Sequence, residues 1–184
     1  MTPMSDIDLL ILCWSELTEH DRAHLDDVLP DPRLDVKAFS WSEFAADPWA
    51  DLDAAVHLYG RDWRPDMPRP TVDQRAREAV LMVCTATRDG RAPSRKYVGW
   101  LISALLGATH GYVPASRQAA LASLDRFEAT RAEALRALAQ DVAEPKRVAD
   151  LESEVLDLLR EQARTRGGPL GPACWLVTDN FLTP

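Results

Sequence analysis

Cysteine and long apolar runs are scarce in this sequence, and each shortage excludes a class of protein. The three cysteines among 184 residues, Cys13, Cys84 and Cys174, form neither a CxxC pair nor the Cys/His spacing of a zinc site. Each has apolar neighbours, so we predict unpaired thiols in the core. No apolar run approaches the roughly 18–20 residues that span a bilayer, and the start, MTPMSDID, lacks the basic residues of a secretory signal. We therefore expect a soluble, cytoplasmic protein without a membrane partner.

Motifs for catalysis and for cofactor binding are missing as well. The sequence contains no GxSxG nucleophile elbow, no GxxxxGK[ST] or GxGxxG phosphate loop and no HExxH helix. No serine or cysteine stands in a context that would activate it as a nucleophile. We expect no cofactor, and the absence of these motifs favours a non-catalytic function.

Positive charge is scarce in the first part of the chain. Residues 1–73 hold 16 Asp/Glu against 6 Lys/Arg, whereas residues 74–184 hold 13 against 15. An acidic surface repels nucleic acid and anionic membranes and attracts a basic or mixed-charge protein. We therefore expect a protein partner and no nucleic acid, and the charge pattern leaves the oligomeric state open.

The second part, residues 71–184, predicts a helical domain. The predicted helices begin after Thr71, after Ser94, near Ser116 and near Lys146, and they end at Asp89-Gly90, Gly107, Val142 and Arg166. Because Glu144-Pro145 breaks the helical pattern within a short connection, we predict an antiparallel αα-hairpin over residues 116–166. Leu138 and Leu151 are expected to be buried in that hairpin.

The first part, residues 1–70, combines two predicted helices with ambiguous segments. The Thr18–Asp21 box predicts a helix over Glu19–Leu29, and Asp47-Pro48 predicts a second one that ends at Gly60. Ile7–Trp14 and Val36–Trp41 fit short buried strands, and the first could equally be helical. Cys174–Thr178, near the C-terminus, is a third possible strand. The segment from Arg61 to Pro70, rich in Pro and Arg, is interpreted as a linker.

Six tryptophans are present, at positions 14, 41, 49, 63, 100 and 175. We assign most of them to the core, because an indole brings a large apolar area. Trp49 and Trp63 flank the charged linker and are predicted to contact a partner. The sequence Trp-Ser-Glu occurs at both Trp14 and Trp41, which we interpret as similar local structure before a helix.

The segment 88–96 is a basic exception with a net charge of +3, from Arg88, Arg91, Arg95 and Lys96 against Asp89. It ends at the predicted helix start at Ser94, where unpaired amides favour an anion. We predict that these four basic residues bind an anion or a partner. Two alternatives stay open: a solvated loop, or a loop that pairs with the acidic first part.

His20 and His24 are the only candidate metal ligands. Four residues apart on a helix, they would share one face, as in two-histidine metal sites. The glutamate of an HExxH motif is absent, so we predict no metal site.

One stretch resembles the opening of certain bacterial HEAT-repeat-like proteins. The residues that carry the resemblance are Trp49-Ala-Asp-Leu52, Tyr59-Gly60, Asp73, Arg75, Ala79, Gly90, Leu101 and Leu105-Leu106. The Trp-to-Gly spacing is longer than in that family, and Trp100 replaces a usual proline. The resemblance implies a helical scaffold that binds another protein, without catalytic residues.

The fold class expected from these observations is mainly α. It is a helical bundle or a short HEAT-like stack of helix pairs, with a possible small β element in the first 45 residues and near the C-terminus. Residues 1–70 and 71–184 are predicted to form one compact unit. The predicted function is that of a non-catalytic interaction factor (an adaptor, an inhibitor or an immunity-type protein). The alternative is a small enzyme or small-molecule-binding protein with a Trp-lined pocket between helices.

Overall fold

The computed structural model describes residues 7–28, 34–46, 55–91 and 93–181. The chain divides into two compact units, Met1–Arg69 and Pro70–Pro184. The structure is mainly helical with a small β element near the N-terminus, which confirms the predicted fold class. Among the described residues, none of the helices combines the length and the apolar character needed to cross a bilayer.

The N-terminal unit is built around a βαβ element. Strand β1 covers Ile7–Cys13, helix α1 covers Glu19–Val28 and strand β2 covers Leu34–Ser40. The strands pair in parallel, which requires a crossover connection, here supplied by α1. Both ambiguous segments are therefore strands, because their backbone groups pair with each other. The predicted helix over Glu19–Leu29 is confirmed by α1, which begins at the Thr18–Asp21 box.

Helix α2 covers Trp41–Ala46 and follows β2 directly, so Trp41 is helical and does not extend the strand. The helix predicted from Asp47-Pro48 to Gly60 is not confirmed: residues 47–54 lie outside the described residues, and residues 55–60 are not helical. The predicted linker is structured in part. It contains a short 3-10 helix at Arg64–Asp66 and an ion pair between Arg61 and Asp66 at 2.6 Å.

The C-terminal unit is a helical bundle around one central helix. Its helices are α3 (Val72–Arg88), α4 (Arg95–His110), α5 (Arg117–Ala122), α6 (Ala129–Gln140), α7 (Pro145–Thr165) and α8 (Gly171–Phe181). Helix α4 packs against α3, α5, α6 and α7, and its residues 97–99 and 101–108 are buried. A helix that is apolar on all sides belongs at the centre of a core.

The predicted helix starts are confirmed in this unit. Thr71 and Gln74 form a capping box at the start of α3, and the Ser94 hydroxyl accepts a hydrogen bond from the Tyr97 amide at the start of α4. Pro145 occupies the first turn of α7. The Thr71 and Ser94 caps satisfy backbone amides that have no partner within the helix, and Pro145 has no amide proton that needs a partner.

Two predictions of helix extent are wrong in this unit. Helix α4 does not end at Gly107 but continues to His110, and Gly111 closes it in the left-handed region at φ 63°. The predicted helix from Ser116 to Val142 is divided into α5, a 3-10 turn at Leu124–Arg126, and α6. The division buries Leu124 completely, which a continuous helical pattern does not indicate.

The third possible strand, Cys174–Thr178, lies within helix α8 instead. Leu170, Ala173 and Cys174 are buried and Val177 is half-buried, a spacing of three and four residues that fits a helix rather than a strand. Pro172 falls in the first turn, where proline is tolerated. Helix α8 packs against α3 and α7. The short apolar run fits either a strand or a helix, and this tertiary packing determines that the segment is helical.

In the region of the predicted helical hairpin, two side-chain pairings connect α6 and α7. Arg131 bonds Glu154 at 2.7 Å, and Arg147 donates to the Ala134 carbonyl oxygen at 3.2 Å. The earlier residue of α6 pairs with the later residue of α7, and the later residue of α6 with the earlier one of α7. The two helices are therefore antiparallel. Leu138 and Leu151 are both buried, as expected.

Candidate functional site

The carboxyl ends of the two parallel strands bring two tryptophans to one edge of the sheet. Cys13 pairs with Ser40 at the end of the register, so Trp14 and Trp41 follow equivalent positions in β1 and β2. The repeated Trp-Ser-Glu sequence therefore marks a structural equivalence at the strand ends. In parallel α/β sheets, this is the edge at which binding sites form.

Trp63 joins the two strand-end tryptophans into a cluster. Its ring centroid lies 4.3 Å from that of Trp14 in an edge-on arrangement and 4.5 Å from that of Trp41 in a stacked one. The Arg61 guanidinium lies 4.7 Å from the Trp63 ring and 5.6 Å from the Trp14 ring. Both are within the range of a cation–π interaction. We call Trp14, Trp41, Trp63 and Arg61 the tryptophan cluster.

A capping box fixes Trp41 at the start of α2. The Ser40 hydroxyl accepts a hydrogen bond from the Glu43 amide at 3.2 Å, and the Glu43 carboxylate accepts one from the Ser40 amide at 2.8 Å. Glu43 also accepts hydrogen bonds from Arg22 of α1, which donates to the Ala38 carbonyl oxygen as well. The Ser40 backbone N–H is the main cause that lowers the pKa of Glu43, so the carboxylate stays charged in this network at neutral pH.

The turn that carries Trp63 is held by its two neighbours. Asp62 accepts two hydrogen bonds from the Arg64 guanidinium, at 2.8 Å and 2.6 Å. These bonds are the largest of the causes that lower the pKa of Asp62 to about 2. Arg64 also donates to the Ala55 carbonyl oxygen at 2.8 Å. The position of Trp63 thus depends on charge-assisted hydrogen bonds beside it.

Exposure differs among the tryptophans. Trp14 is 66% exposed, and Trp41 and Trp63 are half-buried. Trp100 and Trp175 are half-buried too, so none of the described tryptophans is fully buried in the core, contrary to our assignment. Trp63 was predicted as a contact residue, and the structure places it in the cluster; Trp49 lies outside the described residues. Trp14 and Trp41 were missed, although their repeated tripeptide was a usable signal.

The basic segment 88–96 is only partly free to bind an anion. Arg88 and Arg91 both bond Asp89, at 2.9 Å and 3.2 Å, and the Arg88 hydrogen bond is the largest cause that lowers the pKa of Asp89. Arg95 and Lys96 are exposed in the first turn of α4. Since Asp89 compensates part of the positive charge of Arg88 and Arg91, the segment is a weaker anion site than its composition predicts.

His20 and His24 lie on α1, and both are exposed. Within the described ranges, no group of three or more His, Cys, Asp or Glu side chains is arranged to hold a metal ion. Asp21, between them, has a lowered pKa because its carboxylate accepts hydrogen bonds from Thr18. The position of Asp21 in the cap of α1 therefore explains the lowered pKa of its carboxylate without a metal ion.

Comparison of the chain with models of protein families, with curated proteins and with solved structures finds no match. The HEAT-like interpretation therefore stays a prediction.

Proposed function

We propose that this protein is a non-catalytic interaction factor that binds a basic or mixed-charge protein through the tryptophan cluster. The observation that carries the proposal is the exposure of Trp14, at 66%, on a ring that already packs against Trp63. Tryptophan and arginine are the residues most enriched among those that dominate binding energy at protein interfaces. A partner that covers Trp14 buries the apolar surface of its indole, and the neighbouring rings hold that indole in place.

Charge supports a basic partner. Residues 1–69, which form the N-terminal unit, contain 15 Asp/Glu and 6 Lys/Arg. The one positive charge of the cluster, Arg61, is paired with Asp66. An acidic unit around an aromatic contact accelerates association with a positively charged protein and disfavours acidic ones. An adaptor, an inhibitor and an immunity-type factor all fit this description.

Affinity capture from the native host tests the proposal. The bait proteins are the parent chain, Trp14→Ala, and Leu176→Ala as a matched control. Leu176 is another exposed apolar side chain, 49% exposed, in the C-terminal unit. We expect a basic protein to be retained by the parent and by the control. Truncation of an interface tryptophan typically costs 2 kcal/mol or more, about 30-fold in affinity, so Trp14→Ala should lose the partner.

Binding of the purified partner, measured by calorimetry at two salt concentrations, completes the test. Screening by salt should weaken the association, since the charge attraction is between exposed groups. Equal binding by Trp14→Ala and the parent would contradict a role for the cluster. Capture of only acidic proteins, or of none at either salt concentration, would contradict the proposed function.

A further inference from the structure

A cleft of about 470 Å³ lies in the C-terminal unit, between the end of α3 and one face of α7. Its volume is that of a small-molecule site, but the cleft is open to solvent along one side. Its lining from α7 consists of Ala149, Glu152, Ser153, Leu156 and Arg160, and the end of α3 with the turn that follows lines the other side. The residues from α7 recur at three- and four-residue spacing, so they share one face of the helix. No tryptophan lines this cleft, which distinguishes it from the Trp-lined pocket considered above.

Glu152 is a positioned carboxylate at this cleft. Its Oε1 atom accepts a hydrogen bond from the Tyr97 hydroxyl at 2.5 Å and one from the Thr87 hydroxyl at 2.7 Å. The donors stand on α4 and α3, so three helices fix the carboxylate. Burial and the hydrogen bond to Glu152 raise the pKa of Tyr97, so its hydroxyl keeps the proton that it donates. In the described part of the chain, Oε2 of Glu152 accepts no hydrogen bond, and this oxygen is free to accept one from a ligand.

Arg91 and Arg160 bring two guanidinium groups to the same cleft, and Asp89 and Asp157 compensate part of their positive charge. Arg91 bonds Asp89 at 3.2 Å and Arg160 bonds Asp157 at 3.0 Å, each through one nitrogen. A guanidinium has five N–H donors, so both keep donors for a ligand oxygen. The cleft therefore presents a free carboxylate oxygen and two guanidinium groups, with Ala86, Ala149 and Leu156 as apolar lining.

We propose that this cleft binds a small zwitterion of the amino-acid or short-peptide type. Its ammonium group donates to Glu152, and its carboxylate accepts from Arg91 and Arg160. An anion without an ammonium group faces repulsion from Glu152, and a cation without a carboxylate faces two arginines. A ligand with both charges satisfies both sides, and selectivity follows from the repulsion of the others. This site goes beyond the interaction function, since it uses none of the residues of the tryptophan cluster.

The test uses the full chain labelled with ¹⁵N and a panel of free amino acids and glycyl dipeptides. Backbone amide shifts of Thr87, Gly90 and Ser153 report binding in the cleft. Each compound that binds is compared with its carboxamide, which lacks the carboxylate, and with its N-acetyl derivative, which lacks the ammonium. Since each derivative loses a hydrogen bond to a charged group, we expect it to bind about tenfold more weakly or worse. The relative affinities of amino acids and dipeptides identify which of the two classes occupies the site.

Two variants test whether the charged side chains of the cleft bind the ligand. Glu152→Gln keeps an oxygen that accepts from Tyr97 and Thr87 but loses the negative charge, and Arg160→Gln removes one guanidinium. Glu161→Gln and Arg164→Gln are matched controls, because both side chains are exposed on α7 and do not line the cleft. We expect each cleft variant to weaken binding about tenfold and each control to leave it unchanged.

The proposal is overturned if no compound shifts the three amides. It is also overturned if the N-acetyl derivative or the carboxamide binds as well as the zwitterion. If Glu152→Gln does not fold, Arg160→Gln and the two derivatives decide the question on the parent chain. A failure here would leave the partner-binding experiment with Trp14→Ala unaffected, because the two tests use different residues and different readouts.

Discussion

Burial keeps the thiols of two cysteines protonated. Cys84 on α3 and Cys174 on α8 are fully buried, whereas Cys13 is half-buried. Burial raises the pKa of the Cys84 thiol to about 11 and that of Cys174 to about 12. The thiolate is the reactive form of cysteine, so the structure supports the expected inert thiols for these two positions.

We predict that a thiol reagent added to the native protein at pH 8 modifies Cys13 well before Cys84 and Cys174. Labelling of the latter two should accelerate as the pH rises towards 11. In the folded state the raised pKa favours the protonated thiol, so its stabilising effect is complete below the ordinary pKa of about 9 and is lost as the pH rises to about 11–12. Mass spectrometry of peptides after timed quenching measures this order. Denatured protein is the control, in which all three should react alike; rapid native labelling of all three would contradict the prediction.

At the residue scale, the role of a residue was predictable where it depends on neighbours a few positions away in the chain. Thr71 and Ser94 were predicted as helix caps and serve as such, because a cap depends on residues three positions away. Gly107 was misread as a helix end. A glycine ends a helix through its backbone freedom, but it also permits close packing, and only the three-dimensional neighbours distinguish the two uses.

Two glycines of α4, Gly99 and Gly107, lie close to side chains of neighbouring segments. A Cβ atom at Gly107 would lie 3.0 Å from two methyl carbons of Leu170 and 3.1 Å from Val113. At Gly99, on the same helix, a Cβ would meet the side chain of Arg117 at 3.2 Å. Leu170 and Val113 are buried, whereas Arg117 is exposed, so the neighbours of Gly107 have far less room to move.

We predict opposite outcomes for the two alanine substitutions. Gly107→Ala should lower the free energy of unfolding by about 1–2 kcal/mol, because overpacking a core costs more than the gain in helix propensity. Gly99→Ala should leave it unchanged or raise it by up to about 1 kcal/mol. Urea unfolding followed by circular dichroism measures both, with equal m-values as the check on two-state behaviour. Greater destabilisation by Gly99→Ala would mean that the packing around α4 differs from this structure.

Element identity was predictable where the apolar pattern was long, and ambiguous where it was short. Helices α3 and α7 follow their predicted spans closely. The strands β1 and β2 are seven residues each, too short for periodicity to decide, and the pairing between them settles their structure. The turn between α5 and α6 was missed because it contains neither Gly nor Pro: the extended backbone at Phe127 and Glu128 ends one helical pattern and begins the next.

On the scale of the whole molecule, the large core belongs to the C-terminal unit. Its buried cluster extends from Ala76 to Cys174. The described residues of the N-terminal unit have few fully buried side chains, chiefly Ala38, Ser40 and Phe44. A small unit buries a smaller share of its surface and is less stable for that reason.

We predict that a fragment of residues 70–184 folds alone. Its 115 residues match the common size of an independent domain. The expected result is one cooperative thermal transition and a well-dispersed amide spectrum. The full chain provides the comparison: resonances of the α4 core should coincide in the two proteins. A fragment that melts without cooperativity would show that this core needs the first 69 residues.

The candidate site could be predicted only in part, for a physical reason. Trp63 was selected from its position near charged residues, but a tryptophan cluster is a product of parallel strand pairing. Trp14 and Trp41 are 27 residues apart and meet because Cys13 pairs with Ser40. The cleft at Glu152 is likewise assembled from the end of α3, the turn that follows it, and α7. Contacts between residues so far apart in the chain cannot be predicted from the local spacing of residues.

The ring geometry of the tryptophan cluster also gives the protein a built-in optical reporter. Indoles with centroids 4.3 Å and 4.5 Å apart in fixed orientations couple their electronic transitions, which produces paired bands of opposite sign in circular dichroism. Such bands would come from the N-terminal unit, whereas the far-ultraviolet signal is dominated by the helices of the C-terminal unit. The two units can thus be followed separately in one unlabelled sample during unfolding, and a partner that reorients Trp14 would change the coupled bands while leaving the helical signal unaltered.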